Sequence, residues 1–405
     1  MAQTLHTCPF GCSIKEKLTM TINANHNNGT LLQIVCAIVF LLFTIIYLYF
    51  FQADLLGMEQ HVLSGGTTHY ERNIGTLVIT SVLMLLQMMV SRLLPWRGKL
   101  YALTYLPSAA LLGLLTSIDE QFSVHLSYGG WLWLTLLLIV LYIVLTLRYH
   151  RDAAVRKWCR GKGIWEETRS NLFIMLVLLL GICGMGNTDA VLHYRLHMEH
   201  LISEGQYEKA LSIGEKSDET DINLTMLRAC ALTRTRNLGN ALFEYAICGG
   251  SESLLPNGNQ VKCLLNSDNE MFKLMAIRPR GNMSVMKYLM YLDTNGLGRK
   301  SVTDYLLCGY LLDGKIDAFA RSIVRKYNIE SPTLPKHYKE ALTLYTHLRS
   351  NPVVVFHNPV MDADYADFVK TVRTYKDKHI GLAYTRSSYG NTYWQYYFEQ
   401  LGKTR

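Results

Sequence analysis

Hydrophobic and polar positions divide the chain near Gly186. Before that point, uncharged apolar runs alternate with short polar segments; after it, apolar residues recur at helical spacing among charged ones. Leu31 to Phe51 is 21 residues without a charge, and at about 1.5 Å per residue such a helix crosses a hydrocarbon core of about 30 Å. It exceeds the apolar core of a signal peptide, about 7 to 15 residues, and is expected to be retained. Ile74 to Leu94 forms a second span, broken only by Arg92, and Leu100 to Ile118 a third, where Pro107 is expected to kink the helix. Trp131 to Leu147, after Gly129 and Gly130, forms a fourth. Leu172 to Gly186 is the contested fifth: at about 15 residues it falls below the usual spanning length. Its rival reading is a buried or interfacial segment, with four spans and a cytoplasmic C-terminal half.

Charge orients these runs. Arg148 to Arg169 holds seven basic residues against three acidic ones, the pattern of a loop kept on the cytoplasmic side. Lys15 and Lys17 in the tail and Arg92, Arg97 and Lys99 after the second span make the alternate loops rich; Arg72 alone, and then none, make the others poor. An inside N-terminus, five spans and an outside C-terminus satisfy this pattern. Residues 1–30 are then a flexible cytoplasmic tail, 31–186 a transmembrane domain and 187–405 an extracytoplasmic domain. Met20 offers an alternative start closer to the first span. No Asp, Glu, Lys or Arg occupies the middle of a span, which argues against ion- or proton-coupled transport. The two halves each carry a net charge of +4 out of the total of +8. In the first the cations read as orientation signals beside anionic lipid, in the second as a solvated surface, and neither reads as a nucleic-acid face.

The second half opens as HYRLHMEHLISEGQYEKAL, an amphipathic helix, a Gly turn and a second helix. After the turn at Gly205, Tyr207 and Ala210 recur 31 residues on as Leu238 and Ala241, there after Asn237. This run, covering roughly Leu192 to Ile247, resembles a tetratricopeptide (TPR) unit, whose period is about 34 residues. A degraded third copy is Asp313-Gly314-Lys315-Ile316, between helical runs at Val302–Leu312 and Asp317–Tyr327, with Phe319 in place of the Ala. Further helices are expected at Ser284–Asp293, Lys336–Arg349, Tyr365–Tyr375 and Tyr389–Leu401. The TPR resemblance implies stacked helical hairpins whose free face holds a protein or peptide; an irregular helical bundle is the alternative.

Candidate chemistry is sparse. Asp54 and Glu59 in the first outer loop, with His61, His69, Tyr70, Glu71 and Arg72, and Asp119, Glu120 and His125 in the second, could supply a carboxylate to a membrane enzyme transferring groups from a lipid carrier. The plain reading is that outer loops are polar. His193, His197 and His200 share one helical face ahead of Glu204, a spacing that can hold zinc or copper; the plain reading is that they belong to a first repeat helix. Cys8 and Cys12, in CPFGC, have the spacing of half a metal site and read more simply as incidental. Cys230, Cys248, Cys263 and Cys308 could form disulfides in an oxidising compartment, and Asn28, Asn223 and Asn282 head sequons that matter only in a glycosylating host. Tyr389, Tyr393, Trp394, Tyr396, Tyr397 and Phe398 read as a capping helix or an exposed aromatic face. The chain has no Ser nucleophile elbow, Walker loop, dinucleotide Gly motif or HExxH, so no cofactor is expected.

The layout, with LSGGTTHYERNIG in the first outer loop, YALTYLPS entering the third span and NTYWQYYF near the end, resembles bacterial inner-membrane proteins of unknown function that join a multi-span half to a TPR-like outer half. The expectation is an all-α protein: a transmembrane bundle of about five helices in contact with lipid, then a periplasmic TPR-like domain that scaffolds or assembles an envelope complex. A membrane enzyme acting on a lipid-linked substrate is the alternative.

Overall fold

The computed structural model describes residues 29–94, 96–122, 128–153, 163–258, 260–279, 281 and 283–402. The N-terminal tail with Cys8, Cys12, Lys15, Lys17, Met20 and Asn28 lies outside the described residues, as do His125, Arg156, Lys157, Arg160, Lys162 and Asn282. The described residues are helical, with no strand among them, and fall into two compact units, Met1–Thr188 and Asp189–Arg405.

The first unit holds five helices long and apolar enough to cross a membrane: α1 (Gly29–Phe51), α3 (Arg72–Leu93), α4 (Gly98–Leu115), α5 (Gly129–Arg151) and α6 (Ile164–Met185). A shorter helix, α2 (Ala53–Leu63), follows α1. The fifth helix corrects the sequence expectation, because it starts eight residues before Leu172. Glu166 and Glu167 occupy its first turn, where carboxylates complement the helix dipole, and Lys99 pairs with Glu166. Its 22 residues reach about 33 Å at helical rise, enough to span. Pro107 does not kink α4. That helix begins as a 3-10 helix over Gly98–Tyr105, and Pro107 enters the first turn of the α-helical part, where a missing N–H costs no bond.

Helix α4 is the packing centre. Its Tyr101, Ala102, Tyr105, Ala109 and Leu112 join Cys36 and Phe40 of α1, Leu83 of α3, and Met175 and Ile182 of α6 in one core. Helix α5 meets its neighbours through Tyr142 and Tyr149 around Trp96. Several polar side chains inside the bundle find partners, though the hydroxyls of Thr76, Thr80, Tyr105 and Thr135 find none among the described residues: Gln87 donates to Tyr101 and Thr104 (3.2 Å each), Ser108 to the Leu83 carbonyl (2.8 Å). Asn171 accepts from the Ala102 N–H and donates to the Gly98 and Glu167 carbonyls, all at 2.7 Å. Such pairing offsets burial where no water replaces a lost bond. The outward faces carry Leu77, Leu85, Leu137, Val144, Phe173 and Leu180 exposed, an apolar skin that lipid tails would cover.

The second unit has one contiguous core and a recurring connection. Helix α7 (Ala190–Ser203) turns at Gly205 (φ +75°) into α8 (Tyr207–Ser212), and α9 (Ile222–Arg234) turns at Arg236 (φ +61°) into the short α10 (Leu238–Ala241). Further on, α11 (Asp268–Phe272) and α12 (Val285–Thr294) precede α13 (Lys300–Leu312), which turns at Gly314 (φ +66°) into α14 (Ile316–Lys326). All three turns carry the same paired bonds: Gln206 N–H to the Leu201 carbonyl, Asn237 to Leu232 and Lys315 to Tyr310, each with a second bond from the left-handed residue to the carbonyl three residues before it. This is the Schellman closure of a helix end. The second helices at the first two turns are six and four residues long, against eleven at the third, so the hairpins are unequal.

Helices α15 (Lys336–Leu348), α16 (Pro359–Thr374) and α17 (Lys378–Tyr389) follow, and α18 (Tyr393–Tyr396) runs on through a π-helical turn to Leu401. Helix α16 begins six residues before the expected Tyr365, at Pro359 capped by Asn358. Helix α17 has no counterpart in the sequence reading, and α18 starts at Tyr393 rather than Tyr389.

Candidate functional site

Asp54, Glu59, Asp119 and Glu120 belong to no metal-binding group among the described residues, and each has its own surroundings. Asp54 pairs with Arg72 at 3.3 Å, and Asp119 accepts from the Gln121 backbone at 2.9 Å; Glu120 lies half-buried beside it. Glu59 is different. It is buried, and its Oε1 accepts the Tyr128 hydroxyl proton at 2.7 Å. Burial pushes its carboxyl above the usual carboxylate range, with the Tyr128 bond opposing; burial and the Glu59 contact push the Tyr128 phenol up as well. Nearby, Tyr47, Thr116, Gln52 and Asn187 form a hydrogen-bonded knot. The Tyr47 hydroxyl lies 3.2 Å from Thr116 Oγ1, Gln52 donates to Tyr47 and to the Asn187 carbonyl (3.3 Å each), and Asn187 donates to the Ile118 carbonyl at 2.8 Å.

The three histidines of α7 do not assemble a metal centre: among the described residues no group of three or more His, Cys, Asp or Glu is placed to hold an ion. His200 is exposed and sits 3.5 Å from Glu204. The buried residues of α7 are instead Leu192, Arg195, Leu196, Met198, Glu199 and Leu201. Two of these six are charged, and the sequence reading singled out neither. Arg195 pairs with Asp221 at 3.2 Å, and Asp221 also caps α9 through the Leu224 N–H at 2.6 Å.

Glu199 is fully buried and receives the backbone N–H groups of Leu264 (2.9 and 3.0 Å), Leu265 (2.7 Å) and Asn266 (3.1 Å), while Asn266 donates back to the Glu199 carbonyl at 2.8 Å. Burial pushes this carboxyl up, and the three backbone donors and Arg195 push it back. Arg228, also buried, donates to the Ala246 (2.8 Å) and Gly214 (3.1 Å) carbonyls and lies 5.1 Å from the Tyr245 ring centre. Burial lowers its guanidinium, countered by Tyr245 and Asp221.

His337 and Glu340 form a fully buried pair, Nδ1 to Oε2 at 2.8 Å. The arrangement looks armed for proton transfer, but both ends are occupied. His337 Nε2 accepts the Phe243 N–H at 3.3 Å, and Glu340 Oε2 accepts the Tyr393 N–H at 2.7 Å. The aromatic terminus is interior to this unit: Tyr393 and Trp394 are buried, with Trp394 Nε1 donating to the Glu340 carbonyl at 2.7 Å and the Tyr393 hydroxyl to the Leu311 carbonyl at 3.2 Å. Of the repeat positions, Ala210 and Leu238 are buried, Tyr207 and Ala241 half-buried, and Gly205 makes its turn. Cys230, Cys248, Cys263 and Cys308 are free thiols rather than disulfide partners; burial pushes the Cys230 thiol up to about 11.

Fold and sites together define an all-helical chain in which five apolar helices of spanning length precede a second helical unit with a densely pinned polar interior. Residues 125–277 and 264–400 match a family of unknown function (DUF6057), and the chain belongs to that family. The matched region takes in α5, α6 and the second unit. No curated protein and no solved structure matches the chain.

Proposed function

We propose that this is a multi-pass protein of the bacterial cytoplasmic membrane whose extracytoplasmic TPR-like unit binds a protein or peptide and so scaffolds an envelope complex. The observation that carries the reading is that a new helix starts two residues after the left-handed residue at Gly205, Arg236 and Gly314, as in stacked hairpin binders; the same closure at Gly65 and Gly296 leads into a longer connection instead. The buried groups with chemical potential, Glu199, Arg228 and the His337–Glu340 pair, are engaged with backbone and thus hold the unit in shape. An odd number of helices of spanning length supports opposite sides for the two flanks of the 31–186 region, and the cations flanking α5 and α6 favour the inside for the 148–169 loop.

Two experiments test this. A reporter fused after Arg405 should be active only outside the cytoplasm, and activity confined to the cytosol refutes the placement. Crosslinking in intact membranes should recover a defined partner with the full-length chain and not with a chain ending at Thr188; recovery of the same proteins with both refutes the binding role.

A second reading rests on Glu59, whose buried carboxylate faces a phenol: a membrane enzyme acting on a lipid-linked substrate. Glu59→Gln can retain the Tyr128 hydrogen bond, so loss of cellular function at normal protein level would favour chemistry, and full function would remove it.

A further inference from the structure

The second unit contains an open cleft of about 1090 Å³ between the end of α15, the inner face of α16 and the terminal helix. Its floor is apolar: Tyr365 and Phe368 are buried, and Phe398 packs on Phe368 with ring centres 5.8 Å apart. Its rim holds four exposed cations, Lys370, Arg373, Lys376 and Lys378, and no Asp or Glu lines it among the described residues. Some cations of the unit are paired, as in Lys326–Asp293, Lys336–Glu244 and Arg349–Asp317, each at 2.6 Å. The four rim cations have no carboxylate within ion-pair distance among the described residues.

Helix electrostatics account for only part of this. Arg373 lies in the last turn of α16, where a cation is favoured, but Lys378 is the first residue of α17, where a cation opposes the helix dipole. The nearby Asp377 is committed to capping α17 through the His379 N–H at 2.8 Å. Lys378 lies instead 5.5 Å from the Phe398 ring centre, at the junction of rim and floor. Four like charges held together over an aromatic floor are stabilised by an anion that also offers apolar surface.

We propose that this cleft binds a phosphorylated amphiphile, its phosphoryl group among Lys370, Arg373, Lys376 and Lys378 and its apolar body on Leu348, Val369 and Phe398, apolar lining residues that are not buried. The inference does not depend on the scaffolding role, since it concerns a small ligand and none of the hairpin turns. The carrier of the phosphoryl group is either a lipid or a soluble aromatic compound, and the test separates them.

The full-length chain in a neutral maltoside detergent is titrated with dihexanoyl phosphatidic acid, phenyl phosphate, dihexanoyl phosphatidylcholine and inorganic phosphate. At least one of the first two should bind about tenfold or more tightly than the last two, and about tenfold more tightly than to Arg373→Gln/Lys376→Gln. Phosphatidic acid alone binding identifies a lipid source, and phenyl phosphate alone a soluble one; either supports the proposal. Equal binding of inorganic phosphate, equal binding of phosphatidylcholine, or unchanged binding in the variant overturns it. Because the membrane unit has its own basic flank, 4-azidophenyl phosphate supplies a site-resolved readout. Photolabel should fall on the Tyr365–Lys378 stretch and be displaced by the tighter probe; label confined to residues before Asp189 overturns the proposal even if the variant misfolds.

Discussion

Replacing Glu199 by Gln tests whether the interior of the second unit is pinned as its geometry indicates. Four contacts run from backbone N–H groups at 264–266 to the two carboxylate oxygens, so the site is built for an acceptor-only group. A Gln can keep its oxygen at the Oε2 position, retaining three weaker neutral bonds, but its NH2 then faces the Leu264 N–H as donor against donor. Loss of charge assistance in bonds worth about 1.5–3 kcal/mol, plus one buried donor left unmatched, gives a cost of about 2–4 kcal/mol. In a unit of this size that lowers Tm by about 4–16 °C. The local readout is sharper: amide exchange at Leu264, Leu265 and Asn266 should accelerate by about 30- to 900-fold, at tenfold per 1.36 kcal/mol. Glu199→Ala, which leaves every donor without its acceptor, should cost more than Glu199→Gln. A Gln variant melting within about 1 °C of the parent, with unchanged exchange at these three amides, would refute the reasoning.

Arg236 holds a left-handed turn conformation (φ +61°) that Gly205 and Gly314 adopt freely, and its side chain is exposed. Arg236→Gly should therefore raise Tm by about 1–4 °C, the relieved strain of about 1–2 kcal/mol exceeding the added chain entropy; a lower Tm would show that the side chain makes a contact of greater worth. For Glu59, burial raises the folded-state pKa above the usual value, so the folded form keeps a proton that the unfolded chain has released. That contribution is full below the usual carboxylate pKa and is lost as pH rises through the raised one. Glu59→Gln should flatten the fall in stability as pH rises above the usual carboxylate range, as thermal melts at successive pH values would show; a variant with the parental slope would contradict the assignment. A Cβ at Gly381 would lie 2.6 Å from the Val372 carbonyl oxygen, a backbone atom that cannot swing aside. Gly381→Ala should force α16 and α17 apart at a cost of about 1–3 kcal/mol, read as a lower Tm and earlier proteolysis between Thr374 and Lys378.

What the sequence reveals and conceals follows the range of the interactions. The apolar runs of α1, α3 and α5 and the turns at Gly205 and Gly314 are written locally, in hydropathy and in a residue type that tolerates positive φ. The fifth span was foreshortened because Glu166, Glu167 and Arg169 read as loop residues. They belong to helical turns at the polar end of α6, and hydropathy registers only the part of a helix that must be apolar. The second turn is legible through Asn237, but its left-handed residue is Arg236, one position earlier, a residue type that does not announce positive φ. Helix α17 is invisible for a related reason: Gly381, Thr385, Ser387 and Ser388 have weak helix propensity, and the segment is held by its approach to α16 rather than by its own pattern. Glu199 is more remote still. Its partners lie 65–67 positions away, and nothing near it distinguishes it from Glu204, which is exposed.

The two units solve the buried-polar problem in opposite ways, and that contrast bears on where each can reside. Within the spanning helices the interior is pinned by uncharged groups, Gln87, Ser108 and Asn171, whose transfer from water needs only hydrogen bonds to offset it. The second unit buries Arg195, Glu199 and Arg228, and leaving ions inside a protein requires several bonds to each, since the desolvation penalty is several kcal/mol per ion. Glu199 and Arg228 meet that requirement with backbone groups supplied by irregular segments at 264–266, 214 and 246 rather than by regular helix. Irregular backbone of this kind is tolerated where water solvates its remaining groups and is excluded from a lipid-facing surface. The hydrogen bonds of each unit, taken alone, thus draw the same division at Thr188 and Asp189 that hydropathy draws near Gly186.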